Sequence, residues 1–377
     1  MYPLSPMQQG ILFHTLYASE PAVYCAQWSC TLHGNLNGPA FRQAWQHVVD
    51  RHPVLRTAFS WELRDEPFQV VYRHVALPWR QHDWRGMAAG EQERQFEVFL
   101  AEDRQQGFAL SRAPLLRLTL IQLAEDTHRF VCSLHHLLLD GWSLPLLQQE
   151  VFQMYDACCT GQELRLAARR PYGDYIAWLQ QQDLAPAEVF WRQTLKGFAA
   201  PTVLPIGPAS DNSGARETDY ARQHMRLSAA ATAALQALAQ QHHLSLNTLV
   251  QGAWAVLLSR YSGQEDVVFG ATVSGRPADL TGVEAMIGLF INTLPVRVRV
   301  VPEASLFPWL QALQLQQAAA RQYEYSPLTQ VQGWSDMPRG LPLFETLLVF
   351  ENYPARTALQ AWRGSLEIHQ ARFVSST

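Results

Sequence analysis

Two stretches of alternating apolar and polar residues, PLLRLTLIQL at 114–123 and HRFVCSLHH at 128–136, lie on either side of a turn-like AEDT. Alternation with period two on both sides of so short a link reads as a β-hairpin, and a hairpin with a buried face obliges the chain to build a sheet. The second strand runs into Leu137-Leu138-Leu139-Asp140-Gly141-Trp142, after which Ser143 in the N-cap position and Pro145 just inside open a helix. The face of that helix is Leu146, Leu147, Val151, Met154 and Tyr155. Strand, tight turn and helix in direct succession place the chain in the α/β class, with mixed α and β elements. At 377 residues, 48% hydrophobic and 16% charged, it is too apolar for disorder and too long for one compact core. Two lobes are expected.

Residues 38–52 put Phe41, Ala44, Trp45, Val48 and Val49 at helical spacing behind an Asn37 cap. RTAFSWE (56–62) and PFQVVYRHV (67–75) alternate as strands. Pro201, Pro205, Pro208, Asp211, Asn212, Ser213 and Gly214 make residues 199–221 an irregular connector between lobes. Two helices follow, over 229–241 and 245–261, the second with Leu246, Leu249, Val250, Ala253, Trp254, Leu257 and Leu258 on one side. Strands EDVVFGATVSG (265–275) and INTLPVRVRV (291–300), a helix over 306–323 and a buried strand LPLFETLLVF (341–350) complete the second half. Both halves run from helix to strand, a pseudo-duplicated order without a repeat by identity.

Charge is balanced, Lys+Arg 29 against Asp+Glu 33 and net −4, so no one-signed field awaits a polyanion and nucleic acid is disfavoured. Cys25, Cys30, Cys132, Cys158 and Cys159 form an odd set without CxxC spacing and read as reduced thiols of a cytoplasmic protein. The N-terminus has neither a basic n-region nor a small-residue cleavage site, and no apolar run approaches the ~18 residues of a membrane span. A Met directly before YPLSPMQ reads as the opening of a domain cut from a longer chain.

Polar groups gather at residues 134–143, where an apolar strand gives way to a glycine turn, and strand ends of this kind are where sites tend to lie. Adjacent side chains in a strand point to opposite faces, so His135 goes with Ser133, and His136 with Leu134 and Cys132. The pair therefore does not converge on one metal as an i, i+4 helical pair does, and no metal site is expected. One histidine faces sheet packing and the other an open space. His242-His243, beside glutamines at a helix end, reads as surface.

HHLLLDGWS resembles the HHxxxDG signature of the condensation domains of nonribosomal peptide synthetases, a superfamily that includes chloramphenicol acetyltransferase and carnitine acyltransferases. SPMQQGILFH (5–14), RHPVLRTAF (51–59), YGDYIAW (172–178), SGRP (274–277) and IGLFINTLPVR (287–297) resemble further motifs of the family. That makes six ordered matches. YSPLTQVQ (325–332) and LFETLLVFENYP (343–354) match later motifs loosely. The resemblance implies two chloramphenicol-acetyltransferase-like lobes with the active site in a tunnel between them. Residues 1–175 would be the N-terminal lobe carrying HHxxxDG, and 176–377 the C-terminal lobe, incomplete at its end.

The implied reaction is aminolysis. The α-amine of an amino acid on a downstream acceptor carrier protein attacks the acyl or peptidyl thioester on an upstream donor peptidyl carrier protein, with an adenylation domain alongside. Both substrates hang on 4'-phosphopantetheine arms, and no cofactor is bound directly. His136 is the group that accepts or orients the amine proton, with His135 beside it. Asp140 is structural and paired with Arg276 of Ser274-Gly275-Arg276-Pro277, Gly141 allows backbone approach, Asn292 and Thr293 line the tunnel, and Trp142 packs. Cys132 has the strand parity of His136 but reads as core rather than nucleophile. Met-Gln-Gln-Gly in the first motif, with LLVFENYP, resembles the subclass that takes a D-configured donor. His14-Thr15 and Glu20-Pro21 lack the second His pair and Gly-Asp of domains that also epimerise. An epimerisation domain, a silent recruitment module and a CoA-dependent acyltransferase are the alternatives.

Overall fold

A computed structural model of the chain describes residues 1–62, 66–204, 223–352 and 364–375. In chain order the elements are β1 (Tyr2–Pro3), α1 (Pro6–Tyr17), β2 (Cys25–His33), α2 (Gly38–Arg51), β3 (Thr57–Ser60), β4 (Phe68–Val71), β5 (Trp79–Asp83), α3 (Ala89–Gln105), β6 (Leu116–Gln122), β7 (Thr127–His135), α4 (Ser143–Thr160) and α5 (Tyr172–Gln180). They continue with α6 (Ala185–Leu195), α7 (Ala229–Gln241), α8 (Leu246–Ser262), β8 (Asp266–Val273), β9 (Asn292–Arg299), α9 (Leu306–Ala320), α10 (Leu328–Trp334), β10 (Leu347–Leu348) and β11 (Glu367–Ser375). The chain divides into two compact units. One comprises Met1–Gln182, Ser274–Ile291 and Asn352–Thr377; the other comprises Asp183–Val273 and Asn292–Glu351. The first unit is therefore discontinuous, which a single boundary near residue 175 does not capture. Residues 205–221 of the expected connector, and Tyr353 and Pro354 of the last matched motif, lie outside the described residues.

In the first unit a five-stranded sheet has the order β11-β2-β7-β6-β5. The expected hairpin is present: β6 and β7 pair antiparallel from Leu116 opposite Leu134 to Gln122 opposite His128. On the other side of β7, β2 pairs antiparallel with Cys25 opposite His135. Strands β3 and β4 belong instead to a separate three-stranded sheet, β1-β4-β3. Helix α2 starts where Asn37 accepts the Ala40 N–H at 3.1 Å, and Phe41, Ala44, Trp45, Val48 and Val49 are buried as expected. Phe41 meets Phe130 of β7 at 5.0 Å and Tyr155 of α4 at 5.5 Å, so α2 and α4 cover one face of the sheet. Phe96 and Leu100 of α3 cover the other against Ile121 and Val131. Each such fully buried side chain contributes ~1.5–3 kcal/mol.

Helix α4 departs from the expectation at its start. Its N-cap is Trp142, and Ser143 is the first helical residue, because the serine hydroxyl is engaged with Asp140 and Gly288 rather than with its own helix. Leu147, Val151 and Tyr155 are buried, while Leu146 and Met154 are half-buried.

The second unit holds a three-stranded sheet, β10-β8-β9. Trp191 and Leu195 of α6 pack with Val268 and Leu294; Ala255 and Leu258 of α8 pack with Val267, Phe269 and Val296. Helix α8 buries Thr248, Gln251, Gly252, Ala255 and Leu258; of the more hydrophobic side expected only Leu258 is buried, and Val250 and Leu257 are exposed. Close approach explains the choice: a Cβ on Gly252 would lie 2.4 Å from Leu310 of α9, so small residues face the neighbour. The expected buried strand over 341–350 is only Leu347–Leu348, paired parallel to β8, and Leu347 and Val349 are about half exposed.

Candidate active site

Strand β7 carries Phe130, Cys132 and Leu134 into the core shared with α2 and α4, and turns Val131, Ser133 and His135 toward α3. On that side Asp103 of α3, itself buried, accepts hydrogen bonds from Ser133 Oγ at 2.5 Å, Gln27 Nε2 at 3.0 Å and Arg117 Nε at 3.0 Å. The Arg117 guanidinium lies 4.2 Å over the Phe108 ring, whose edge meets the His135 ring at 6.2 Å.

His135 is 2% exposed. Burial, reinforced by the neighbouring His136, pushes its pKa down to about 3. The ring is neutral at physiological pH, and its Nδ1 accepts the Leu137 N–H at 3.2 Å. The ring proton is therefore on Nε2, facing Thr15 Oγ1 at 3.5 Å. His136, one residue on, is half-buried, and its backbone N–H donates to the Tyr24 carbonyl at 2.9 Å. Tyr24 holds φ 58, a left-handed conformation that a bulky residue adopts at a cost. The Leu138 N–H closes the turn on the His135 carbonyl at 3.0 Å. The two histidines divide as expected into one packed in the core and one reaching solvent.

Asp140, fully buried at its side chain, is the hub of the turn. Its Oδ1 accepts the Ser143 N–H at 2.8 Å and lies 2.7 Å from Ser143 Oγ; its Oδ2 accepts the Phe290 N–H at 3.0 Å. Arg276 Nη2 reaches the two carboxylate oxygens at 3.3 and 3.4 Å and Ser143 Oγ at 3.0 Å. Arg276 also donates through Nη1 to the Val283 and Met286 carbonyls and lies 4.0 Å over the Phe290 ring. Burial lowers its pKa, against the pull of Asp140. Both members of the pair belong to the first unit, so this is a contact between two of its loops rather than one across lobes. Tyr172 and Tyr175 of YGDYIAW pack on Phe290 at 5.3 and 4.6 Å, and Tyr172 Oη donates to the Leu289 carbonyl at 2.7 Å. His52 of RHPVLRTAF lies 2.6 Å from the buried Glu150 of α4.

Gly141 and Trp142 are half-buried in the turn, and Trp142 Nε1 donates to the Glu284 carbonyl at 3.0 Å, a packing role. Ser274 is exposed, away from the Asp140 cluster. Asn292, in the second unit, donates from Nδ2 to the Glu324 and Ser326 carbonyls, both at 2.8 Å; its amide is committed to backbone. Cys132 is buried, and burial raises its pKa far above that of an active thiol. His242 stacks on Phe307 at 3.4 Å. Among the described residues no three His, Cys, Asp or Glu side chains group to hold a metal ion, and no helix is long and apolar enough to cross a membrane.

One residue of the site carried no chemical signal in the sequence. Gln8 of α1 is completely buried, and its Nε2 donates to the Leu137 carbonyl at 3.0 Å. Only its place in SPMQQG, three residues after Ser5, marks it, as the partner of a capping box.

The comparisons with known proteins point to one family. The family model described as "Condensation domain" matches residues 1–372, and the chain belongs to that family, the amide-forming acyltransferase domains of nonribosomal peptide synthetases. It is 51% identical over 353 residues to a linear gramicidin synthase from Brevibacillus parabrevis, a match covering 94% of this chain and 7% of that protein. The chain thus spans only a small part of the length of the curated relatives it matches. Among solved structures it is similar to a four-domain nonribosomal peptide synthetase, holo-AB3403 bound to AMP and glycine, with TM-score 0.78, 21% identity and coverage of 94% of this chain and 27% of that one. It is also similar to the X-domain in complex with OxyB from teicoplanin biosynthesis, with TM-score 0.74, 23% identity and coverage of 100% and 80%.

Proposed function

We propose that the chain joins a donor acyl or peptidyl thioester to the α-amine of an acceptor amino acid, with His136 managing the amine proton. The observation that carries this is the division of labour between the two histidines. His135 is neutral, buried and engaged with the Leu137 N–H, whereas His136 is half-buried on a turn whose backbone is bonded on both sides. In the step, the amine nitrogen forms a bond to the thioester carbon, the carbon–sulfur bond breaks, and the proton lost by the amine passes by way of His136 to the departing thiolate. An imidazole can both accept a proton and return it, which is what this step asks of the group. Asp140 and Arg276 hold the turn and do not touch substrate.

Donor and acceptor arrive on the 4'-phosphopantetheine arms of an upstream peptidyl carrier protein and a downstream carrier protein, beside an adenylation domain, in the cytoplasm. The donor is D-configured, a reading supported by the SPMQQGILFH opening. The test offers matched D- and L-aminoacyl or peptidyl donors, tethered to carrier or to CoA, and follows the acceptor carrier by intact-protein mass spectrometry. Faster amide formation from the carrier-bound D donor is expected. Preference for the L donor overturns the subclass, and preference for CoA overturns the carrier reading. The fold is shared with an X-domain that binds OxyB, so complete absence of amide product from every donor would favour a recruitment role.

A further inference from the structure

Leu137 is held through both of its backbone polar groups, which belong to successive peptide planes. Its N–H is held by His135 Nδ1 at 3.2 Å and its carbonyl by Gln8 Nε2 at 3.0 Å. Gln8 in turn is locked by its neighbours: Oε1 accepts the Ser5 N–H at 3.0 Å and Gln69 Nε2 at 2.7 Å. Gln8 Nε2 also lies 3.3 Å from Gln69 Oε1, which makes the two amides a reciprocal pair. Gln69 Nε2 reaches on to the Pro3 carbonyl at 3.0 Å. Both glutamines are completely buried. Two primary amides taken fully out of water cost free energy unless every group is bonded. The capping box of α1 needs only the Ser5 contact, so it does not account for an amide aimed at a carbonyl 129 residues away.

We infer that Gln8, backed by Gln69, is a positioning residue for condensation, fixing the backbone of the His136 turn so that the imidazole is presented in one orientation. The inference rests on the reading of His136 given above. Physically, the peptide plane between His136 and Leu137 is held by the bond to His135 Nδ1, and the next plane, between Leu137 and Leu138, by the bond to Gln8 and by the Leu138 N–H on the His135 carbonyl. With the donor of Gln8 removed, that second plane keeps only the Leu138 N–H bond to the His135 carbonyl, and an ångström of drift at a reacting group is enough to cost about 100-fold in rate. His135 fits the same design: its acceptor nitrogen exists only in the neutral ring, and burial beside His136 keeps the ring neutral.

The experiment uses Gln8→Met, which keeps the length and removes the donor. Gln8→Glu accompanies it, because the carboxylate retains the acceptor for Ser5 N–H and donates to Leu137 only when protonated. Gln9→Met on the exposed side of α1 is the control. Carrier-to-carrier condensation is measured for kcat and KM, with thermal melts and amide hydrogen exchange. We expect Gln8→Met to lower kcat about 10- to 100-fold with KM for the acceptor carrier little changed, and to speed exchange at the amides of residues 136–138 while the β6–β7 amides stay protected. Gln8→Glu should regain activity relative to wild type as pH falls through the raised pKa of a buried carboxyl. Wild-type kcat in Gln8→Met, or exchange accelerated equally across β6 and β7, overturns the inference. Should His136→Ala prove fully active, the reading of His136 fails, yet the exchange pattern still decides whether Gln8 holds the turn.

Discussion

Replacing Asp140 by asparagine keeps the shape of the side chain and removes one charge, so its effect can be worked out contact by contact. The carboxylate takes the Phe290 N–H on Oδ2 and the Ser143 N–H on Oδ1. An asparagine has one acceptor oxygen, so in either orientation its NH2 confronts a backbone N–H and leaves it unsatisfied, at about 1–3 kcal/mol. Arg276, 5% exposed at its side chain, simultaneously loses its counter-charge; breaking a buried pair costs ~3–5 kcal/mol. The guanidinium keeps the Val283 and Met286 carbonyls and the Phe290 face, which places the total near the lower end, about 3 kcal/mol. At ~2–4 °C per kcal/mol the melt should fall by roughly 6–12 °C. The assay is a double-mutant cycle in urea with Arg276→Met. The double variant should be more stable than the two single losses add up to, by about 1 kcal/mol or more. An Asp140→Asn variant that melts with wild type, or effects that simply add, would refute the assignment of this pair as the lock of the turn.

Acidification tests the neutral His135. Below pH ~6.5 the unfolded chain's imidazole takes up a proton that the folded ring, at about 3, refuses, so its contribution to stability is whole above ~6.5 and lost as pH falls toward 3. His135→Gln should flatten the fall in urea midpoint between pH 7 and 5 by the equivalent of about one proton; an unchanged slope would speak against it. Gly275→Ala should be far more damaging than Gly161→Ala. Both glycines have positive φ, but a Cβ on Gly275 would lie 1.8 Å from the Phe290 carbonyl oxygen, whereas one on Gly161 meets nothing within 4 Å. Thermal melts compare them, and equal losses would contradict the close approach of the 275 and 290 segments.

What could be read from the sequence was what local periodicity encodes. The β6–β7 hairpin alternates because each of its faces meets a different helix layer, and α2 announces itself through Asn37 and a clean apolar stripe. Strand β2, which pairs with β7 along its whole length, carries the same mark, Ala26, Trp28, Cys30 and Leu32 alternating with Gln27, Ser29, Thr31 and His33. Eight of its nine residues, all but His33, are buried, so its polar face also meets protein, with Gln27 bonded to Asp103 and Ser133, a burial that alternation alone does not reveal. Helix α8 misled, since hydropathy does not see that Gly252 and Ala255 pack closest. The HHxxxDG segment told which polar residues gather, but β7 ends at His135, so the separation of the two histidines comes from the turn that begins at His136 rather than from strand alternation. That Ser143 bonds Gly288 instead of capping its helix, and that Gln8 reaches the Leu137 carbonyl, depends on partners more than a hundred residues away, which no local pattern records.

The most direct measurement is single-turnover condensation by His136→Ala, with carrier-tethered donor and acceptor and a thermal melt of the same preparation. Removal of a group that handles the amine proton should lower the rate by about 100-fold or more while the melt stays close to wild type, because the ring is half-buried and outside the Asp140 lock. Amide formation at the wild-type rate by a folded His136→Ala protein would contradict the account.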